Sequence, residues 1–92
     1  MLRLAAILLC LATPALAQDP PERIAALSWG LAESLLALGV DPVAVADVEG
    51  YRTWVGAPPL PRSTRDLGLR AEPNLEALAE VAPDLILASD QQ

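Results

Sequence analysis

An α/β fold with a mostly parallel sheet is predicted by three successive features of the chain. Ile24 to Leu27 (IAAL) is a short apolar run of the kind shown by a strand buried on both faces. Leu31, Leu35 and Leu38 recur at helical spacing in GLAESLLALG, and Gly39 can take up the left-handed conformation that closes a helix. Val43 to Val48 (VAVADV) is rich in β-branched residues and reads as a second strand. Strand, helix and strand in this order make a βαβ unit, whose crossover is right-handed and whose strands are parallel.

The remaining elements follow in chain order. Arg3, the apolar Leu4 to Ala12 and the small-x-small Ala15-Leu16-Ala17 form a cleavable signal peptide over residues 1–17. A membrane anchor is the ordinary alternative, but the run is shorter than the roughly 20 residues a hydrocarbon core requires. Gln18 to Glu22, with Pro20 and Pro21, is an extended leader, and Asp41-Pro42 is a turn before the second strand. Glu49 to Asp66 shows no sustained period, and Pro58, Pro59 and Pro61 remove backbone donors, so this segment reads as a long loop. Pro73-Asn74 starts a second helix with Asn74 as N-cap and Glu76 near the positive end of its dipole. Leu75, Leu78, Ala79 and Ala82 would line its apolar face, and Pro83 stops it. Leu85 to Ala88 (LILA) is then a third buried strand.

Composition narrows the function. Removal of residues 1–17 leaves 75 residues with five arginines against twelve acids, a net charge of −7, and no cysteine, lysine or histidine. Disulfides are impossible in that form, and Cys or His metal ligation is excluded, leaving carboxylates for hard cations. An acidic chain of this kind is unsuited to nucleic acid, whose binding rests on a basic surface. A chain of this length makes one small core and buries only about 60% of its unfolded surface, so marginal stability is expected.

Four of the five arginines beyond residue 17, and two of the three aromatic residues, fall between Tyr51 and Arg70. An anionic or oxygen-rich ligand would find its donors there. Trp54 offers a flat apolar face with one donor, and Arg70 a planar fork suited to paired oxygens. The ordinary alternatives are core packing for Trp54 and a surface pair with Asp66 or Glu72 for Arg70. Trp29 follows the first strand, where the crevice of an open parallel sheet lies, and it serves equally well as a cap on the core. Arg52, Arg62 and Arg65 would extend a positive rim or lie in a solvated loop, and Glu33 reads as a solvated helix face. Without histidine no Ser/His/Asp set exists, and Ser28, Ser34, Ser63 and Ser89 lie in no nucleophile elbow. The glycines form neither a dinucleotide fingerprint nor a phosphate loop.

RIAALSWGLAESLLALGVDPVAVAD, YRTWVGAPPLP and DLGLRAEPNLEALAEVAPDLILAS together closely resemble the N-terminal part of the periplasmic ferric hydroxamate siderophore-binding proteins that feed an ABC importer. The resemblance runs from about Pro21 to Ser89. PNLEALAEVAPDLIL belongs to the wider class that binds siderophores, haem and cobalamin, whereas YRTWV-x-x-PPLP with GLR-x-EPN is narrower. The resemblance implies the incomplete N-terminal lobe of a class III (TroA-like) periplasmic binding protein over residues 18–92, roughly the first third of such a protein. It implies Trp54 as the ligand-packing tryptophan and Arg70 as the donor to hydroxamate oxygens. It also implies a non-enzymatic, monomeric protein without a resident cofactor, carrying a ferric siderophore to an inner-membrane ABC permease. At Gln92 the family pattern has a ligand-contacting tyrosine. The alternatives are a binding protein for a catecholate siderophore, haem or cobalamin, a small α/β enzyme or nucleotide-binding module, and a nonfunctional fragment.

Overall fold

A computed structural model describes residues 19–90. Residues 1–17, expected to be a signal peptide, and Gln92 therefore lie outside the described residues. Four strands, β1 (Ile24–Ala26), β2 (Ala44–Val45), β3 (Arg65–Asp66) and β4 (Leu85–Leu87), form one sheet in the order β3-β2-β1-β4. All three pairings are parallel, with Ala25 opposite Ala44 and Ile86, and Ala44 opposite Arg65. The chain builds outward from β1 through β2 to β3, then returns to the other side of β1 with β4.

Three helices connect these strands: α1 (Trp29–Ala37), α2 (Val48–Trp54) and α3 (Leu75–Val81). Strand side chains alternate between faces. Ile24, Ala26 and Val45 pack with Ala32 and Leu35 of α1, Val48 and Tyr51 of α2, and Leu60. On the opposite face Ala25, Ala44 and Ala46 pack with Leu67 and Ala77 of α3. Alanine at three strand positions, Ala25, Ala26 and Ala44, and at Ala46 just past β2 leaves room for helices on both faces, and all four are fully buried.

Local chemistry sets the ends of the helices. Ser28 Oγ accepts from Leu31 N at 3.3 Å, and Asn74 Oδ1 accepts from Glu76 N at 3.0 Å and Ala77 N at 3.1 Å. Each bond satisfies a backbone donor that the helix cannot. Gly39, with φ of 82°, and Ala82, with φ of 51°, turn the chain out of α1 and α3.

Several expectations are corrected. The second strand does not run from Val43 to Val48, because Asp47 adopts φ of 55° and starts a helix. Its Oδ1 accepts from Gly50 N at 3.1 Å. The expected loop Glu49 to Asp66 therefore contains all of α2 but Val48, and β3. Val48, Tyr51 and Val55 are spaced as one helical face, a period masked by assigning Val48 to a strand. Helix α3 buries Ala77, with Leu78 and Val81 alongside, and leaves Leu75 at 72% exposure. The strand at Leu85–Leu87 is the fourth, and it is not buried. As an edge strand paired only to β1, it leaves Leu85 and Ile86 exposed.

Candidate functional site

The strand order reverses between β1 and β4, and in open α/β sheets the crevice beyond the carboxyl ends of strands at such a point receives ligands. The residues just past those ends are tied together. Trp29, opening α1, donates Nε1–H to Asp47 O at 3.0 Å. Asp47 N in turn donates to Gly68 O at 2.7 Å, so the exits of β1, β2 and β3 are joined through one residue. Asp66 Oδ1 accepts from Gly68 N at 2.9 Å and Val48 N at 3.4 Å, fixing the turn out of β3.

That turn carries Arg70. A bridge between Gly68 and Pro73, with Asn74 N donating to Leu67 O at 2.7 Å, closes the segment into a tight loop. Gly68 has φ of 79°, a conformation open to glycine at little steric cost. The loop brings the Arg70 guanidinium over Trp29, its Cζ 3.7 Å from the ring centroid. Sequence reasoning named both residues but not their contact, and it missed Asp47 and Gly50. A Cβ at Gly50 would collide with the Trp29 ring and the Asp47 carboxylate, so glycine is what allows the indole to lie against α2. Glycine within the predicted loop was the available signal for this close approach.

Trp54 ends α2 one turn beyond Gly50, on the same helix face. It is 78% exposed, so it is not core packing. Tyr51, with Val48, is a core residue of that helix: its phenol donates to Pro58 O at 2.6 Å and secures the proline segment. Burial, reinforced by the negative charge of Glu33, holds the Tyr51 phenol above its usual pKa.

The other arginines contribute less to this rim. Arg52 donates to Pro61 O at 3.1 Å. Arg65 pairs with Glu80 at 2.8 Å, at the amino end of β3, an exposed contact of small energetic weight. Two shallow depressions also lie at the amino ends of the strands. One, about 400 Å³, is bounded by Arg23, Val43, Ser63, Arg65, Glu80 and Val81, and the other, about 470 Å³, by residues from Asp19 to Glu22 with Asp84 and Leu85. Trp29 and Arg70 thus lie at the opposite end of the sheet, and the exposed Trp54 is carried by the helix that packs against Trp29.

A family model described as periplasmic binding protein matches residues 24–92. The chain is 55% identical over 69 residues to the iron(3+)-hydroxamate-binding protein of Escherichia coli strain K12, covering 75% of this chain and 23% of that protein. It is 37% identical over 75 residues to a probable siderophore-binding lipoprotein of Bacillus subtilis strain 168, covering 75% of this chain and 22% of the relative. Its fold matches the crystal structure of the siderophore-binding protein FhuD from Vibrio cholerae with Fe3+–Desferal bound. That match has a TM-score of 0.74 and 44% identity over 77% of this chain and 27% of the other. The chain spans about a quarter of the length of these proteins, somewhat less than the third expected.

Proposed function

The chain belongs to the periplasmic binding protein family, and on that premise we propose that it forms one wall of a cleft for a ferric hydroxamate siderophore. In this reading it is part of the substrate-binding component of an ABC importer. Residues 1–17 direct export to the periplasm and are removed, so the N-terminal sequence of the exported form should begin at Gln18, and retention of Met1 would contradict this. The protein acts as a monomer, catalyses no reaction, and passes its cargo to an inner-membrane permease.

The observation that carries the reading is the guanidinium of Arg70 stacked on Trp29, with exposed Trp54 on the adjoining helix face. A ferric tris-hydroxamate encloses its iron and presents partly negative oxygens between aliphatic linkers. Stacking engages the flat face of a guanidinium, and its N–H fork lies in the plane of its edge, the geometry in which paired oxygens are met. Charge-assisted hydrogen bonds answer the oxygens, while the Trp54 face covers the carbons. The iron is cargo held by its chelator, so protein ligands to the metal are unnecessary. The 55% identity to the Escherichia coli hydroxamate-binding protein supports this chemistry over catecholate, haem or cobalamin.

The test is a chimera in which residues 24–90 replace the matching segment of that relative, titrated with ferric desferrioxamine. Arg70→Ala is expected to weaken binding by about 1.5–3 kcal/mol, the range for a hydrogen bond to a charged group. Arg70→Lys should recover only part, since an ammonium lacks the fork. Binding of Arg70→Ala as tight as the parent chimera would overturn the assignment.

A further inference from the structure

The position of Trp29 suggests a role other than direct contact with ligand. Its indole N–H is committed to Asp47 O at 3.0 Å. One part of the ring lies so close to Gly50 that no Cβ fits between them, and the side chain packs against the core cluster built by Ile24, Val45, Val48 and Tyr51. Arg70 covers a face of the ring at 3.7 Å. The edge donor and a ring face of Trp29 are therefore occupied by the protein itself.

We propose that Trp29 is a positioning residue: the Asp47 and Gly50 contacts hold its indole as a fixed platform that sets the plane of the Arg70 guanidinium. This inference rests on the siderophore reading above and refines the role of one of its residues. An arginine side chain has considerable rotamer entropy to lose on being ordered. A platform that holds the guanidinium before ligand arrives reduces that loss on binding. The platform is in turn anchored to the turn that carries Arg70, because Asp47 N donates to Gly68 O at 2.7 Å. Ring, turn and guanidinium are thus referenced to one residue, Asp47, at the exit of β2.

The experiment reads the free state in the isotope-labelled 92-residue chain and binding in the chimera described above, titrated with gallium(III) desferrioxamine, a diamagnetic complex of the same shape and charge as the ferric one. In the free chain the Arg70 side-chain resonances should be displaced upfield by the indole ring current, and Trp29→Leu should abolish the displacement. On titration the Arg70 signals and the Trp54 indole N–H should move, while the Trp29 indole N–H, held by Asp47, stays in place. Trp29→Leu should weaken binding about three- to tenfold, in keeping with the strength of a cation–π contact. The double variant Trp29→Leu/Arg70→Ala should bind no more weakly than Arg70→Ala alone. Trp29→Phe keeps an aromatic face but loses the bond to Asp47, and it should restore only part of the affinity and part of the ring-current displacement. If Trp29→Leu fails to fold, Trp29→Phe and the free-chain displacement still decide the matter. Losses that multiply in the double variant, an undisplaced Arg70 in the free chain, or a Trp29 indole that shifts with ligand in Arg70→Ala would each overturn the proposal. A displaced Arg70 in a chain where neither Arg70 nor Trp54 responds to the complex would support the platform and overturn the siderophore reading instead.

Discussion

Truncating Trp54 to alanine should separate binding from stability. Trp54 is 78% exposed at the end of α2, so little apolar area is lost from the fold when it is removed. A fully covered tryptophan buries roughly 150–250 Å². With about four-fifths of that still exposed, a ligand lying on one face covers about half the remainder, roughly 60–100 Å². At about 25 cal/mol per Å² this contributes about 1.5–2.5 kcal/mol, a loss of about ten- to sixtyfold in affinity for Trp54→Ala. The folded state should change by no more than about 0.5 kcal/mol, as for other surface substitutions. Calorimetric titration of the chimera with ferric desferrioxamine measures the first quantity and thermal unfolding the second. Unchanged affinity would refute a ligand-packing role. A clear fall in Tm with no change in affinity would show that the indole supports the fold.

Three further outcomes follow from contacts within the fold. Tyr51→Phe removes the 2.6 Å donor to Pro58 O and should cost about 0.5–1.5 kcal/mol in denaturant unfolding. Because the folded-state pKa of Tyr51 lies above its ordinary value near 10, its contribution is present below pH 10 and lost as pH rises through the raised value, so Tyr51→Phe should flatten that alkaline limb of stability. Gly50→Ala would ordinarily favour a helix by about 1 kcal/mol, but collision with the Trp29 ring and Asp47 should reverse the sign to a loss of about 1–3 kcal/mol in the same assay. The backbone N–H groups of Glu22 and Arg23 hold the Asp84 carboxylate below its usual pKa of 3.8, so its contribution is present above that value and lost as pH falls through the lowered one. Asp84→Asn should therefore reduce the acid dependence of unfolding, and an unchanged acid limb would refute this.

Local chemistry made much of this protein legible in one dimension. Asn74 and Gly39 mark helix ends because each meets an unsatisfied backbone group or a left-handed torsion within its own turn, whereas the N-cap Ser28 went unread. The apolar runs at Ile24 and Leu85 mark strands because period and length are local properties. Burial of the second run was misjudged because it depends on which neighbours cover the strand, and β4 has only β1 beside it. Helix α2 was missed because its first apolar residue, Val48, follows β2 so closely that the left-handed turn at Asp47 has no signature in hydropathy. The site divides in the same way. Trp54 and Arg70 stood out by residue type, since few groups in an acidic chain can answer oxygens and carbons together. The stack of Arg70 on Trp29, the accommodating Gly50 and the shared anchor at Asp47 were decided by tertiary structure alone. These residues leave three different strands, and only the parallel sheet, which brings the strands' carboxyl ends to one rim, places them in contact.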